Sequence, residues 1–188
     1  MQPLKIQVKV FAAHDTEVEE YVPVFHRWIR EEVLPELMID VVDYTHVADG
    51  PAVVLIGHAS DYALDRGNGR LGVLYANKRG PLAEGERVFQ ALRSALSAAR
   101  LLEAESAPKH RLSFHSGELL IRVADRLRWP NDDEAFERLL PELRSALERV
   151  YGSRAFELRR VGSAKDLFTV EVRVPGAPPL AELALQPN

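Results

Sequence analysis

An α+β fold, with helices packed on antiparallel sheet, is what this sequence predicts from three features. Short runs alternate apolar and polar residues, the period of a half-buried strand. Longer runs place apolar residues at helical spacing. The two patterns also recur in one order, strand, helix, strand, strand, in each half of the chain. The expectation is therefore two ferredoxin-like βαββ units, an internal duplication, with an extra hairpin and a long helix between them. The first lobe takes residues 1–107 and the second 108–174. The Pro-rich tail, 175–188, is expected to be extended or disordered.

The elements follow in order. Leu4 to Val10 alternates cleanly and reads as a strand. Thr16 and Glu19 have capping-box spacing ahead of a helix that carries Val22, Phe25, Ile29 and Val33. Pro23 suits its first turn and Pro35 ends it. Leu37 to Tyr44 reads as a strand, Gly50-Pro51 as a turn, and the apolar run Ala52 to Gly57 as a strand buried on both faces. Asn68-Gly69 supplies a hairpin turn between runs 62–65 and 70–75. Residues 83–104 form the clearest helix, with Leu92 on its apolar stripe.

In the second half, Glu118 to Asp125 reads as a strand. Asn131 is the expected N-cap of a helix whose stripe includes Leu139, Leu143 and Leu147. Pro141 inside it predicts a kink or break, and Gly152 a C-cap. Residues 154–161 and 167–174 read as two strands meeting at Gly162-Ser163.

Composition excludes several classes of function. The 188 residues carry a net charge of −4, with 46% hydrophobic and 28% charged residues, and no cysteine. Thiolate catalysis, disulfides and cysteine metal sites are thereby removed, and a reducing, cytoplasmic setting fits. Arg and Glu interleave, as on solvated helix faces, and no basic stripe tracks a phosphate backbone. Nucleic acid is not an expected partner. No stretch approaches the roughly 18 apolar residues of a membrane span, and the N-terminus lacks the apolar region of a secretion signal.

Chemistry, if present, is expected where His and Asp crowd the first 65 residues. His46 and His58 flank the Gly50-Pro51 turn. Strands closing at that turn would oppose residues whose numbers sum to about 101–103, which sets His58 against Asp43 with Asp61 close by. Such a pair could do acid–base work, since His titrates near neutral pH. It supplies too few ligands for a metal, and no His-x-x-x-His or His-Glu-x-x-His spacing occurs, so neither metal nor cofactor is expected. His26, beside Phe25 and Trp28, reads as a residue at the core edge. Lys78 and Arg79, in a turn after a strand, are candidates for holding an anion. No phosphate-binding loop, nucleophile elbow or paired base-stacking aromatics are present. The leading expectation is a non-catalytic interaction or ligand-binding module acting through its sheet face or by self-association, with a homodimer as one form. The alternative is a small-molecule hydrolase or lyase using His46, His58, Asp43 and Asp61, with or without a divalent metal.

Overall fold

A computed structural model describes residues 5–47, 49–79 and 85–185. Its strands are β1 (Ile6–Ala12), β2 (Met38–Asp43), β3 (Pro51–Gly57), β4 (Ser60–Asp65), β5 (Gly72–Asn77), β6 (Phe114–Val123), β7 (Glu157–Val161) and β8 (Phe168–Arg173). The helices are α1 (Val22–Arg30), α2 (Arg87–Ala104) and α3 (Asp133–Tyr151). All eight strands join one antiparallel sheet in the order β2-β3-β4-β5-β1-β6-β8-β7. The α+β class is as the sequence predicts.

Alternation decides which side chains meet the helices. In β1, Ile6, Val8 and Val10 are fully buried on the face that α2 covers. Val53 and Leu55 of β3, Leu64 of β4, Val73 of β5, Ile121 and Val123 of β6, and Val170 and Val172 of β8 share the same core. Helix α2 lies over β1 and β5 and packs against α3, while α1 packs beside β2. The two long helices are tied by charge as well as by packing. Glu142 of α3 accepts from the Val88 backbone N–H at 3.0 Å, in the first turn of α2, and from the Arg87 guanidinium at 2.8 Å. A carboxylate there satisfies an orphan donor and favours the positive end of the helix.

Several local expectations change in the folded chain. Thr16 and Glu19 form no capping box: residues 18–21 make a single 3-10 turn, and no side chain caps α1. Run 52–57 is not buried on both faces, because Val54 and Ile56 are only half-buried on the side without helices. Asp132, not Asn131, caps α3, its carboxylate accepting from Ala135 N at 2.8 Å. Asn131 is instead buried and donates to the carbonyls of Val161 and Ser163. Helix α3 runs unbroken through Pro141, which lies with Glu137 on its exposed side. Helix α2 begins at Arg87, and residues 83 and 84 lie outside the described residues.

The tail also differs from expectation over its described part. Leu180, Leu183 and Leu185 are buried against the core, and Ser116 Oγ donates to Pro178 O at 2.6 Å. Three leucines at close spacing bury enough apolar surface to hold the segment down. The hairpin between β4 and β5 forms as expected, with Asn68 at φ 63° and Gly69 at φ 71° making the left-handed turn.

Leu92 and Leu143 are both fully buried, as their stripes predict. Changing either to Ala is expected to lower unfolding free energy by about 2–5 kcal/mol in urea titrations. A loss below about 1 kcal/mol would mean the helix face collapses without a cavity.

Alkaline pH supplies a second check. Burial pushes Tyr62 and Tyr151 far above the ordinary tyrosine range, and it raises Tyr21 and Tyr75 as well. A raised folded-state value contributes stability that is intact below the unfolded value of about 10 and is lost as pH rises beyond it. Lys9, lowered by burial, acts in the opposite sense but is one group against four. Circular dichroism is expected to show unfolding above about pH 10. In Tyr151→Phe the same transition becomes shallower, since the hydroxyl it removes donates only to Ser116 O.

Candidate functional site on the open face of the sheet

The His/Asp cluster does not assemble. Strands β2 and β3 pair with Asp43 opposite Val53, Val42 opposite Val54 and Val41 opposite Leu55. Asp43 and His58 therefore stand at opposite ends of the pair, five residues beyond register, or about 16 Å at strand rise. The expected His58–Asp43 contact is wrong. Its premise, a tight turn at Gly50-Pro51, fails because the chain makes a longer connection over 44–50, with Tyr44 N–H donating to Ala52 O at 2.7 Å.

Asp43 is occupied locally. It accepts from the Thr45 hydroxyl at 2.6 Å and the Thr45 N–H at 2.9 Å, which hold its carboxyl below the usual range, with nearby His46 adding to the effect. His58 sits at the far turn, its backbone N–H on Leu37 O. Asp61, near it in sequence, is bound instead by Lys78 Nζ at 2.6 Å. Lys78 also donates to Gly57 O at 2.7 Å, so its charge is engaged. Arg79 is exposed, and Gly80 beyond it is outside the described residues. Among the described residues no three His, Asp or Glu converge as metal ligands.

What the fold builds instead lies on the sheet face that no helix among the described residues covers. Register places Gln7, Lys9 and Phe11 of β1 there, with Leu74 opposite Lys9 on one side and Leu120 on the other. Lys9 is 1% exposed. Its ammonium donates to Asp65 Oδ2 at 2.6 Å and to Gly67 O at 2.8 Å. Burial holds Lys9 below the usual lysine range, while Asp65 opposes that shift and the positive charges of Arg122 and Arg70 add to it. Gly72 is required for this arrangement: a Cβ there would stand 2.5 Å from Val10 O and 2.9 Å from Lys9 Cε. The turn at 66–69 folds over the ammonium and excludes water.

Phe11 continues the row. The Arg70 guanidinium lies 4.0 Å over its ring and reaches Glu118 at 2.9 Å. Beyond it a groove of about 500 Å³ runs along β6 and β8. Asn68 and Arg70 of the β4–β5 turn bound one end, and Gly162, Asp166 and Leu167 of the β7–β8 turn the other. The face thus has two halves. Over β2 to β5 it carries an apolar row, Val42, Val54, Ala63 and Leu74, and beside it a mixed row in which Asp40 and Asp61 flank Ile56 and Ala76 follows. Over β6 to β7 it is charged, with Glu118, Arg122, Glu171, Arg173 and Arg159.

Sequence reading missed Lys9, Asp65, Arg70 and Arg122. Lys9 looks solvent-facing in the alternation of 4–10. The signal that could have found it is the company it keeps, since runs 70–75 and 118–125 are apolar at both parities around Leu74 and Leu120.

Removing one member of the buried pair leaves the other as an uncompensated charge. Asp65→Ala is expected to cost about 3–5 kcal/mol, whereas Lys9→Met, with Asp65 able to turn to solvent past the 66–69 turn, costs less than half as much. Equal losses in chemical denaturation would show that the pair, rather than the buried ammonium, dominates.

No family model matches this chain, and no curated protein matches its sequence.

Proposed function

We propose that the chain is a non-catalytic binding module whose working surface is the open face of the sheet. One observation carries this reading. Among the described residues three helices cover one face, and the other leaves the row Val42, Val54 and Leu74 half-buried, with Ile56 beside it between Asp40 and Asp61. Monomeric proteins rarely leave a contiguous apolar patch larger than a few hundred Å² without a partner for it. At the β2 edge Leu37 and Ile39 are exposed as well. The partner that fits is an apolar protein surface, and a second copy of the chain is the first to test. The rival reading, a hydrolase or lyase, rested on His46, His58, Asp43 and Asp61 acting together. Their separation along β2 and β3 leaves it without a supporting observation.

The duplication belongs to the same proposal. With β4 and β5 set aside, the first half orders its strands β1-β3-β2 and the second β6-β8-β7, joined at β1·β6. A two-stranded insertion preserves strand direction, because it reverses the chain twice. Both halves then have the split βαβ order of ferredoxin-like units, which supports lobes at 1–107 and 108–174. A cytoplasmic setting fits the lack of cysteine. Among the described residues no helix is long and apolar enough to cross a membrane.

Sedimentation velocity over a wide concentration range tests the surface. Wild type is expected to associate and to bind a hydrophobic dye while folded. The double variant Ile56→Lys, Leu74→Lys is expected to stay monomeric and to lose the dye. A wild type that neither associates nor binds dye would remove the proposal.

A further inference from the structure

We propose that the charged groove beside the apolar row binds a small organic oxyanion, a carboxylate or phosphate ester with a short apolar body, whose charged end meets Arg122.

The ion pairs on this face leave two arginines over. Asp65 is held by Lys9, Glu118 by Arg70, and Glu171 by Arg159. Asp166 accepts from Ser163 N–H and hydroxyl at 2.7 and 2.8 Å. Arg122 and Arg173 have no hydrogen-bond or ion-pair partner among the described residues. The two differ in surroundings. Arg173 is exposed and stands in register between Glu118 and Glu157, so carboxylates flank its charge. Arg122 is half-buried and stands in register between Gln7 and Thr169, both neutral. Its positive charge acts repulsively on the buried Lys9 ammonium. An anion beside Arg122 would relieve that repulsion and supply the missing partner.

Surroundings also select the ligand class. Leu120, Val161 and Leu167 line the groove with Arg122, and its three carboxylates, Glu118, Glu171 and Asp166, are engaged by Arg70, Arg159 and Ser163. Apolar walls weaken hydration of the guanidinium and strengthen its hold on an oxyanion. They also offer surface to a carbon body, which inorganic phosphate lacks. Thr169 does not compete for the anion, because its hydroxyl is spent on Leu167 O at 2.9 Å. A planar guanidinium matches carboxylate and phosphate oxygens two at a time, a match that lysine cannot make. The groove, about 500 Å³, is within the range of small-molecule sites.

The test is an NMR titration of uniformly labelled protein with benzoate, phenyl phosphate and inorganic phosphate, run on wild type, Arg122→Gln, Arg122→Lys and Arg144→Gln. Arg144 is exposed on α3, across the molecule, and serves as the charge control. At least one organic anion is expected to shift the amides of 120–122 and 167–169 saturably, with a dissociation constant of about 1 mM or below. Arg122→Gln is expected to weaken it at least tenfold and Arg122→Lys by less, with Arg144→Gln unchanged. The unliganded spectra show whether each variant is folded, and Arg122→Lys carries the test if Arg122→Gln is not. No saturable shift, shifts that map elsewhere, equal weakening in Arg144→Gln, or inorganic phosphate binding as tightly as the organic anions would each overturn the proposal. Its failure leaves the apolar row untouched, since that surface is tested through Ile56 and Leu74.

Discussion

The antiparallel ladder between β1 and β6 holds the two halves of this chain in one sheet. Ile6 pairs with Val123, Val8 with Ile121 and Val10 with Leu119. These pairs face the helices, where burial of β-branched and leucine side chains is the main favourable contribution to folding. The same ladder sets Lys9 beside Leu120 and Gln7 beside Arg122 on the opposite face. Strand periodicity allows no other result: once the apolar residues take the core side, their neighbours must take the open side. The core and the candidate site are consequences of one register.

That register forces a lysine into a dry position, and neighbouring features accommodate it. Leu74 and Leu120 stand on either side, Gly72 leaves room for the side chain to lie flat, and Asp65 with Gly67 O receives the ammonium protons. A buried ion pair of this kind adds little net stability, because desolvation offsets the attraction. Its effect is on geometry. It pins the β4–β5 turn against the sheet, which brings Arg70 over Phe11 and bounds the groove at that end.

The uneven covering of the sheet is a second consequence of the chain's order. Helices α2 and α3 pack on one another and α1 sits near the β2 edge, all on one side. Nothing among the described residues covers Val54, Ile56 and Leu74 on the other. Edge strand β7 carries Arg159 and Arg160, paired to Glu171 and Asp133, and charged side chains of this sort discourage strand addition. Edge strand β2 carries exposed Ile39 together with exposed Asp40 and Asp43.

The amino-acid sequence by itself determined the α+β class, most elements, the Asn68-Gly69 hairpin and the core positions of Leu92 and Leu143. These rest on local periodicity and turn chemistry, which act over a few residues. It did not determine the β2–β3 register. The length of the 44–50 connection depends on how Tyr44 and Ala52 meet, and a shift of a few residues carried His58 from Asp43 to the far end of the strand pair. Nor did it place the tail, whose leucines join the core beside α2. The open-face site is tertiary throughout. Lys9, Asp65, Arg70 and Arg122 lie on four strands or turns, and their meeting depends on which strands become neighbours. Only the packed sheet settles that, because contacts far apart in sequence are decided by burial and register together and leave no local trace.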